Sequence, residues 1–393
     1  MSAGCLAGVG EARYASAVSR KRLSKENTAT VVATGAARVT AIASITRAIM
    51  AANLPFNPMR RTILIIGGTR NLGPDLVAAL LVRGDEVTVL NRGVTPDELP
   101  RTVRRLTADR SDAAALAAAL RGHAWDAVVD TTLYTGPDAA AIARVLAGRV
   151  GRYLCWSSGQ VYLVRAGLTP PFRESDYAGP VMAEPPVSSP DHAQWRYGVD
   201  KRAAEDALMA AHSGAGFPVV VLRMPMITSA RDHYGRLAAY VHRVLDGGPL
   251  LVPDDQSRLS LRHVCGDDVV AATVRALEPG VPAGTALNIS QDETLTLEAM
   301  LDLVAGALGV APPRLVQVPR ATLAAADLLP ACSPWSGRWM SVLDTALGTQ
   351  LLGLACTGPA RYLPPLVAAA REWPTARVPG WDRRAEELAV AAG

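Results

Sequence analysis

The stretch TILIIGGTRNLGPDLVAALLVRG, residues 62–84, decides how this chain is read. Thr62–Ile66 is a short β-branched, apolar run of the kind that forms a fully buried strand. Pro74 stands where a first helical turn accepts proline, Leu76, Ala79, Leu80 and Arg83 follow at helical spacing, and Gly84 stops the run. Between strand and helix lie Gly67, Gly68, Thr69, Arg70, Asn71, Leu72 and Gly73. Such a turn, opening a helix whose first amides are unpaired, is a cradle for a pyrophosphate. The spacing is not GxGxxG, so the turn depends on its strand–turn–helix context for support. Asn71, where a glycine is usual, is acceptable because asparagine enters left-handed backbone conformations more easily than most residues.

The surrounding pattern extends this unit. DEVTVL (85–90), TVRRLTAD (102–109), WDAVVD (125–130) and RYLCWSS (152–158) read as strands, and 111–122 and 137–148 read as helices between them. Strands alternating with helices of this length predict a parallel, doubly wound α/β sheet of Rossmann type. The first turn, Asn91, Asp130 and Ser158 then fall along the carboxyl edge, where such sheets bind ligands. Further on, a helix over 198–212 and a strand over 217–225 are expected. Beyond them come a helix near 235–246, PLLVP (249–253), a helix from Asp267/Asp268, the strand TALNIS (285–290) and a helix near 295–308. After about residue 320 the periodicity loses clarity. The expected organisation is an extension over 1–58, a nucleotide-binding domain over 59–225, and a smaller substrate-binding lobe with sheet-completing elements over 226–393.

Composition sets outer bounds. The chain has 393 residues, 49% hydrophobic and 19% charged, which suits a folded globular protein. Residues 1–61 hold nine Lys/Arg against two Asp/Glu, so the net charge of +4 leaves the rest of the chain slightly acidic. That body is not a nucleic-acid surface. The first 58 residues are rich in Ala, Ser, Thr and Arg. They read as an upstream extension, with the working protein starting near Met59, or alternatively as a targeting segment. Five scattered cysteines form no metal motif and suit the reducing cytoplasm, no metal is expected, and no membrane-spanning run is present.

Cofactor preference follows from charge. NAD-binding folds usually end the second strand in an acid that takes the ribose hydroxyls. Here that position reads Asn91-Arg92, and Arg70 sits in the turn. Two arginines can grip a 2′-phosphate that an acid would repel, so NADP(H) is expected over NAD(H). Asp109, at the end of the third strand, is a candidate for the adenine amino group.

WRYGVDK places Tyr197 and Lys201 four residues apart on one helix face. A nearby ammonium stabilises a phenolate, bringing a phenol into range for proton transfer. Ser158 offers the hydroxyl that would steady a substrate oxygen. With these residues in order, the chain resembles the short-chain dehydrogenase/reductase superfamily in its extended branch, the NAD-dependent epimerase/dehydratase family. GGTRNLG and NRG resemble an atypical subgroup whose turn reads GGTRxxG. The resemblance covers about 59–310. It implies Ser158, rather than Ser157, as the catalytic hydroxyl, Tyr197 as acid/base, Lys201 as the group holding Tyr197 and the nicotinamide ribose, Arg70 as an NADP-selecting base, and Asp109 as the adenine contact. Family dehydratases carry Asp-Glu after the catalytic hydroxyl. Gly159-Gln160 stands here instead, which argues against elimination.

Met224, Arg231, Tyr234, Arg236 and Arg262 are expected to approach a small-molecule substrate. The arginines suit a phosphate or carboxylate, as in a nucleotide-sugar, although salt bridges to the chain's own acids are the ordinary alternative. His263 and the late tryptophans Trp335, Trp339, Trp373 and Trp381 are expected to pack. The expected activity is hydride transfer at a C–OH/C=O carbon, with epimerisation or reduction as the outcome. A non-catalytic NADP-binding sensor or RNA-binding protein on the same fold is the alternative. A homodimer through the Ala-rich face of the Tyr197 helix is expected by analogy.

Overall fold

The computed structural model describes residues 60–255 and 259–392. The expected 1–58 extension therefore lies outside the described residues. The first strand, β1 (Thr62–Ile66), leads into helix α1 (Gly73–Val82), followed by β2 (Glu86–Asn91), β3 (Arg104–Thr107) and α2 (Ala113–Ala119). Next come β4 (Ala127–Asp130), α3 (Gly136–Leu146), β5 (Tyr153–Ser158) and a single turn, α4 (Gln160–Leu163). The long helix α5 (His192–Ala215) precedes β6 (Val219–Met224). These strands pair in parallel in the order β6-β5-β4-β1-β2-β3. Register places Ile66 beside Leu90 on one side and beside Asp130 on the other. The strand order thus reverses at β1, which is where such sheets bind ligands.

The second half contributes β7 (Met226–Thr228), α6 (Arg236–Asp246), β8 (Leu250–Pro253), β9 (His263–Cys265), α7 (Gly266–Ala276) and β10 (Thr285–Asn288). They are followed by α8 (Leu297–Leu308), β11 (Leu315–Val318), α9 (Arg320–Ala325), α10 (Ala346–Leu352), α11 (Pro359–Arg371) and α12 (Arg384–Ala392). Strand β10 joins β6 as the seventh strand of the main sheet, whose edges are therefore β10 and β3. Strands β8 and β11, and β7 and β9, form two small parallel pairs.

The sheet is covered on both faces. Leu76 and Leu80 of α1, with Leu72 just before it, pack with Val269 and Val270 of α7 on one side. Leu116, Ile142, Leu146 and Leu208 from α2, α3 and α5 cover the other. The lobe has its own core, in which α6, α8 and α11 contribute Tyr240, Leu301, Val304, Leu363 and Val367. Two departures from the sequence reading matter. Helix α5 starts at His192, six residues before the expected start, so Tyr197 lies inside the helix and not ahead of it. The segment after residue 320 holds four helices, one of which, α11, contains Pro364 and Pro365 and so hides its period. Among the described residues no helix is long and apolar enough to cross a membrane.

Candidate active site

The turn after β1 is built for close backbone approach. Gly67 and Gly68 have φ of +96° and +81°, and Asn71 takes +47°. A Cβ on Gly73 would stand 2.4 Å from the Gly68 carbonyl carbon, so glycine is the residue that lets α1 begin there. Leu72 is buried, Thr69 half-buried and Arg70 exposed. No side chain caps the start of α1, and its proline removes one donor that would have lacked a partner anyway. Glycine-lined space, an uncapped helix start and an exposed arginine fit a dinucleotide pyrophosphate and its neighbouring ribose.

The next strand ends shape the rim. The Asn91 carboxamide oxygen accepts the Gly93 amide at 2.7 Å, fixing the loop that exposes Arg92. Arg70 reaches across to donate to the Thr95 hydroxyl in that same loop. Hydrogen bonds from Ser111, reinforced by the charges of Arg92 and Arg110, hold the Asp109 carboxyl below the usual carboxylate range. Arg110 is a residue that sequence reasoning passed over. Its Nη1 donates to both oxygens of Asp130, at 2.7 and 2.8 Å, while the Tyr153 hydroxyl donates to Asp130 Oδ2 at 2.6 Å. Asp130 is fully buried beside the glycine-rich turn, and this guanidinium balances its charge there.

On the far side of the switch point, β5 ends in two serines that face opposite ways. Ser157 is buried and donates to Glu205 of α5. Ser158 is half-buried, and its Oγ accepts the Gln160 amide at 3.2 Å. Lys201, only 4% exposed, donates from Nζ to the carbonyls of Leu133 at 2.7 Å and Trp156 at 2.8 Å. It is thereby tied to the strand that carries Ser158, two residues further along. The ammonium also lies 5.0 Å from the Tyr134 ring centroid, and that ring stands 6.3 Å from the ring of Tyr197. Tyr134 was also passed over. It sits in DTTLYTG directly after β4, and a position past a strand's carboxyl end was the available signal.

The arginines expected near a substrate take up partners within the protein, the ordinary alternative for such charges. Met224 is buried in the core under the site, with its carbonyl accepting the Gly159 amide at 2.8 Å. Arg231 donates to Asp75 of α1 at 2.8 Å, and Arg236 to Asp232 at 2.9 Å. Arg262 donates to the Thr294 hydroxyl at 2.7 Å and the Leu343 carbonyl at 2.5 Å. All three guanidinium groups have partners within the protein. His263 is buried, bonded through Nδ1 to Thr228 at 3.0 Å and packed edge-on to Trp335; burial pushes its imidazole down to about 3, so it is neutral. Among the described residues no group of His, Cys, Asp and Glu is arranged to hold a metal.

The pattern of one protein family spans residues 63–290, more than half of the chain. The chain belongs to the NAD dependent epimerase/dehydratase family. Within the extended short-chain dehydrogenases it is similar to 2′-dehydrokanamycin reductase of Streptomyces kanamyceticus, at 30% identity over 74% of this chain and 78% of that protein. Its fold resembles UDP-glucose 4-epimerase of Thermotoga maritima, solved with UDP-glucose, at 19% identity and a TM-score of 0.62, covering 79% of this chain and 99% of that one. It also resembles WbmH of Bordetella bronchiseptica, solved with NAD+, at 20% identity and a TM-score of 0.59, covering 80% and 99%. As a member of this family the chain is a nucleotide-cofactor-dependent oxidoreductase or epimerase.

Proposed function

We propose that this protein is an NADP(H)-dependent reductase of a carbonyl on a sugar-like or other small cyclic substrate, working through Ser158, Tyr197 and Lys201. The observation that carries this reading is the fixed ammonium. Two of the three Lys201 donors are held by the carbonyls of Leu133 and Trp156, which fixes the charge on the helix that also bears Tyr197. Ser158 and Tyr197 would donate hydrogen bonds to the substrate carbonyl oxygen. The Tyr197 hydroxyl would give its proton to that oxygen as the carbon is reduced, and Lys201 would stabilise the phenolate left behind. The nicotinamide, when bound, supplies the hydride. Gly67, Gly68 and Gly73 would approach the pyrophosphate, Asp109 the adenine, and Arg70 and Arg92 a 2′-phosphate.

Reduction is favoured over nucleotide-sugar epimerisation for one reason. The arginines placed to meet a diphosphate, Arg231, Arg236 and Arg262, are already paired with protein groups. The similarity to a 2′-dehydrokanamycin reductase points the same way. Elimination is disfavoured by Gly159 and Gln160 where family dehydratases hold two acids. The decisive measurement is NADPH oxidation over a panel of cyclic ketones. Tyr197→Phe is expected to lower kcat by about 10²–10⁴-fold, and unchanged turnover defeats the mechanism. For the cofactor, replacing Arg70 and Arg92 together by alanine is expected to weaken NADPH by about 10–100-fold and leave NADH within about twofold. Tighter NADH binding by the parent protein would reverse the preference.

A further inference from the structure

The four late tryptophans do not behave alike. Trp335 is buried against Tyr240, and Trp373 and Trp381 lean on the core of the lobe. Trp339 joins no apolar cluster of the described residues. It is half-buried, and its Nε1 donates to Asp191 Oδ1 at 2.8 Å. Asp191 immediately precedes α5, six residues before Tyr197, or about 9 Å along the helix axis. Two residues after Trp339, Ser341 presses on the residue that follows Ser158: a Cβ on Gly159 would lie 2.1 Å from Ser341 Oγ. Residues 336–345 therefore cross from the lobe to the ends of both elements that carry the proposed catalytic groups.

The crossing is pinned on each side. At its start, Arg320 Nη2 donates to the Ser336 carbonyl at 2.7 Å and Arg338 pairs with Asp255 at 2.8 Å. At its end, the Phe172 amide donates to the Val342 carbonyl and the Asp344 amide to the Phe172 carbonyl, both at 2.8 Å, and Asn288 Nδ2 donates to the Asp344 carbonyl at 3.0 Å. An indole on so constrained a backbone is a flat, rigid, largely apolar surface that loses little freedom on meeting a ligand. Its single polar atom is committed to Asp191, so what it can offer a ligand is its face.

We propose that Trp339 is a specificity-determining residue: its indole forms one wall of the substrate site and takes the C–H face of a saturated, hydroxylated ring, a sugar or cyclitol. The inference deepens the reductase reading and rests on it for where the reacting carbon sits. Direct binding and turnover separate the two. Binding of kanamycin, UDP-glucose and 2-butanol to the NADP+-loaded protein is measured by calorimetry for the parent chain, Trp339→Ala and Trp339→Phe. NADPH oxidation with 2′-dehydrokanamycin and 2-butanone is followed in parallel. The expected result is that Trp339→Ala weakens a ring compound bound by the parent at least tenfold and raises the matching KM, with kcat and NADPH affinity within twofold. Trp339→Phe should recover most of the loss, and 2-butanone turnover should not change. Ring binding lost in Trp339→Ala by a parent that reduces no carbonyl keeps the wall and removes the reductase. Ring binding unchanged in Trp339→Ala, an equal loss for 2-butanone, or no ring compound bound by the parent overturns the wall.

Discussion

Each half of the molecule is closed by a buried arginine–glutamate pair, and the two pairs serve different ends. In the sheet half, Arg223 of β6 meets Glu205 of α5 through Nη2 at 2.6 Å and Nε at 3.0 Å, with 3% and 1% of the residues exposed. Glu205 also takes the Ser157 hydroxyl, while Arg223 Nη1 donates to the Tyr162 hydroxyl at 2.7 Å. In the lobe, Arg243 of α6 meets Glu387 of α12 at 2.5 Å, and Arg384 of α12 adds bonds to Glu387 at 3.0 Å and to Asp246 at 2.7 Å. The first pair stitches the helix bearing Tyr197 and Lys201 to β6, and the Ser157 bond to the same Glu205 ties it to the strand bearing Ser158. The second fastens the last helix of the chain to the lobe. Similar electrostatics thus govern an active-site scaffold in one place and a chain terminus in the other.

Removing one partner of such a pair leaves an uncompensated buried charge. Glu205→Leu and Glu387→Leu are each expected to destabilise the protein by about 3–5 kcal/mol, read from denaturant unfolding. The comparison breaks at activity. Below the melting transition the Glu387 variant should keep NADPH turnover within about twofold, whereas the Glu205 variant should lose at least tenfold in kcat. Equal losses would mean that the sheet pair does nothing specific for the site. A second contrast concerns Gly159, where the lobe touches the sheet half. Gly159→Ala is expected to destabilise by about 1–3 kcal/mol through overpacking against Ser341, and the double variant with Ser341→Gly should recover most of it.

The smallest expected effect is electrostatic. Asp267, in the first turn of α7, is pushed up to about 6 by burial, then by the charges of Asp75 and Asp268. A carboxyl with a folded pKa above its unfolded value opposes folding when ionised. The penalty is full above about pH 6 and vanishes towards pH 4. Asp267→Asn should therefore stabilise the protein by about 1–3 kcal/mol at pH 7.5, and the gain should fade as pH falls through 6. A gain of the same size at pH 4 would rule out ionisation as its source.

The sheet half was legible because its signals are local. The apolar run 62–66, the glycines at 67, 68 and 73, and the Ala/Leu helices each state their role within a few residues. What escaped depends on partners far apart in the chain. Glu205 reads as one more charge on a helix until Ser157 and Arg223 arrive beside it. Arg110 gains its meaning from Asp130, twenty residues on. Ser341 lies over Gly159 from nearly two hundred residues away. Helix α11 could have been found, since Leu363, Val367 and Ala370 recur at helical spacing, but Pro364 and Pro365 argued against it. The arginines make a similar point: sequence left a phosphate grip and internal pairing as alternatives, and only the fold shows that acids and carbonyls already meet them.

The borders of the seven-stranded sheet have a consequence for self-association. On one flank β3 presents Arg104 and Arg105, the latter clasped by Asp97 at 2.6 Å. On the other, the Asn288 amide of β10 is taken by the Glu174 carboxylate at 2.8 Å. Charge guards one margin and a borrowed acceptor occupies the other, so a foreign strand finds little backbone to zip onto. Copies of this chain that meet at high concentration should not join through the margins of this sheet.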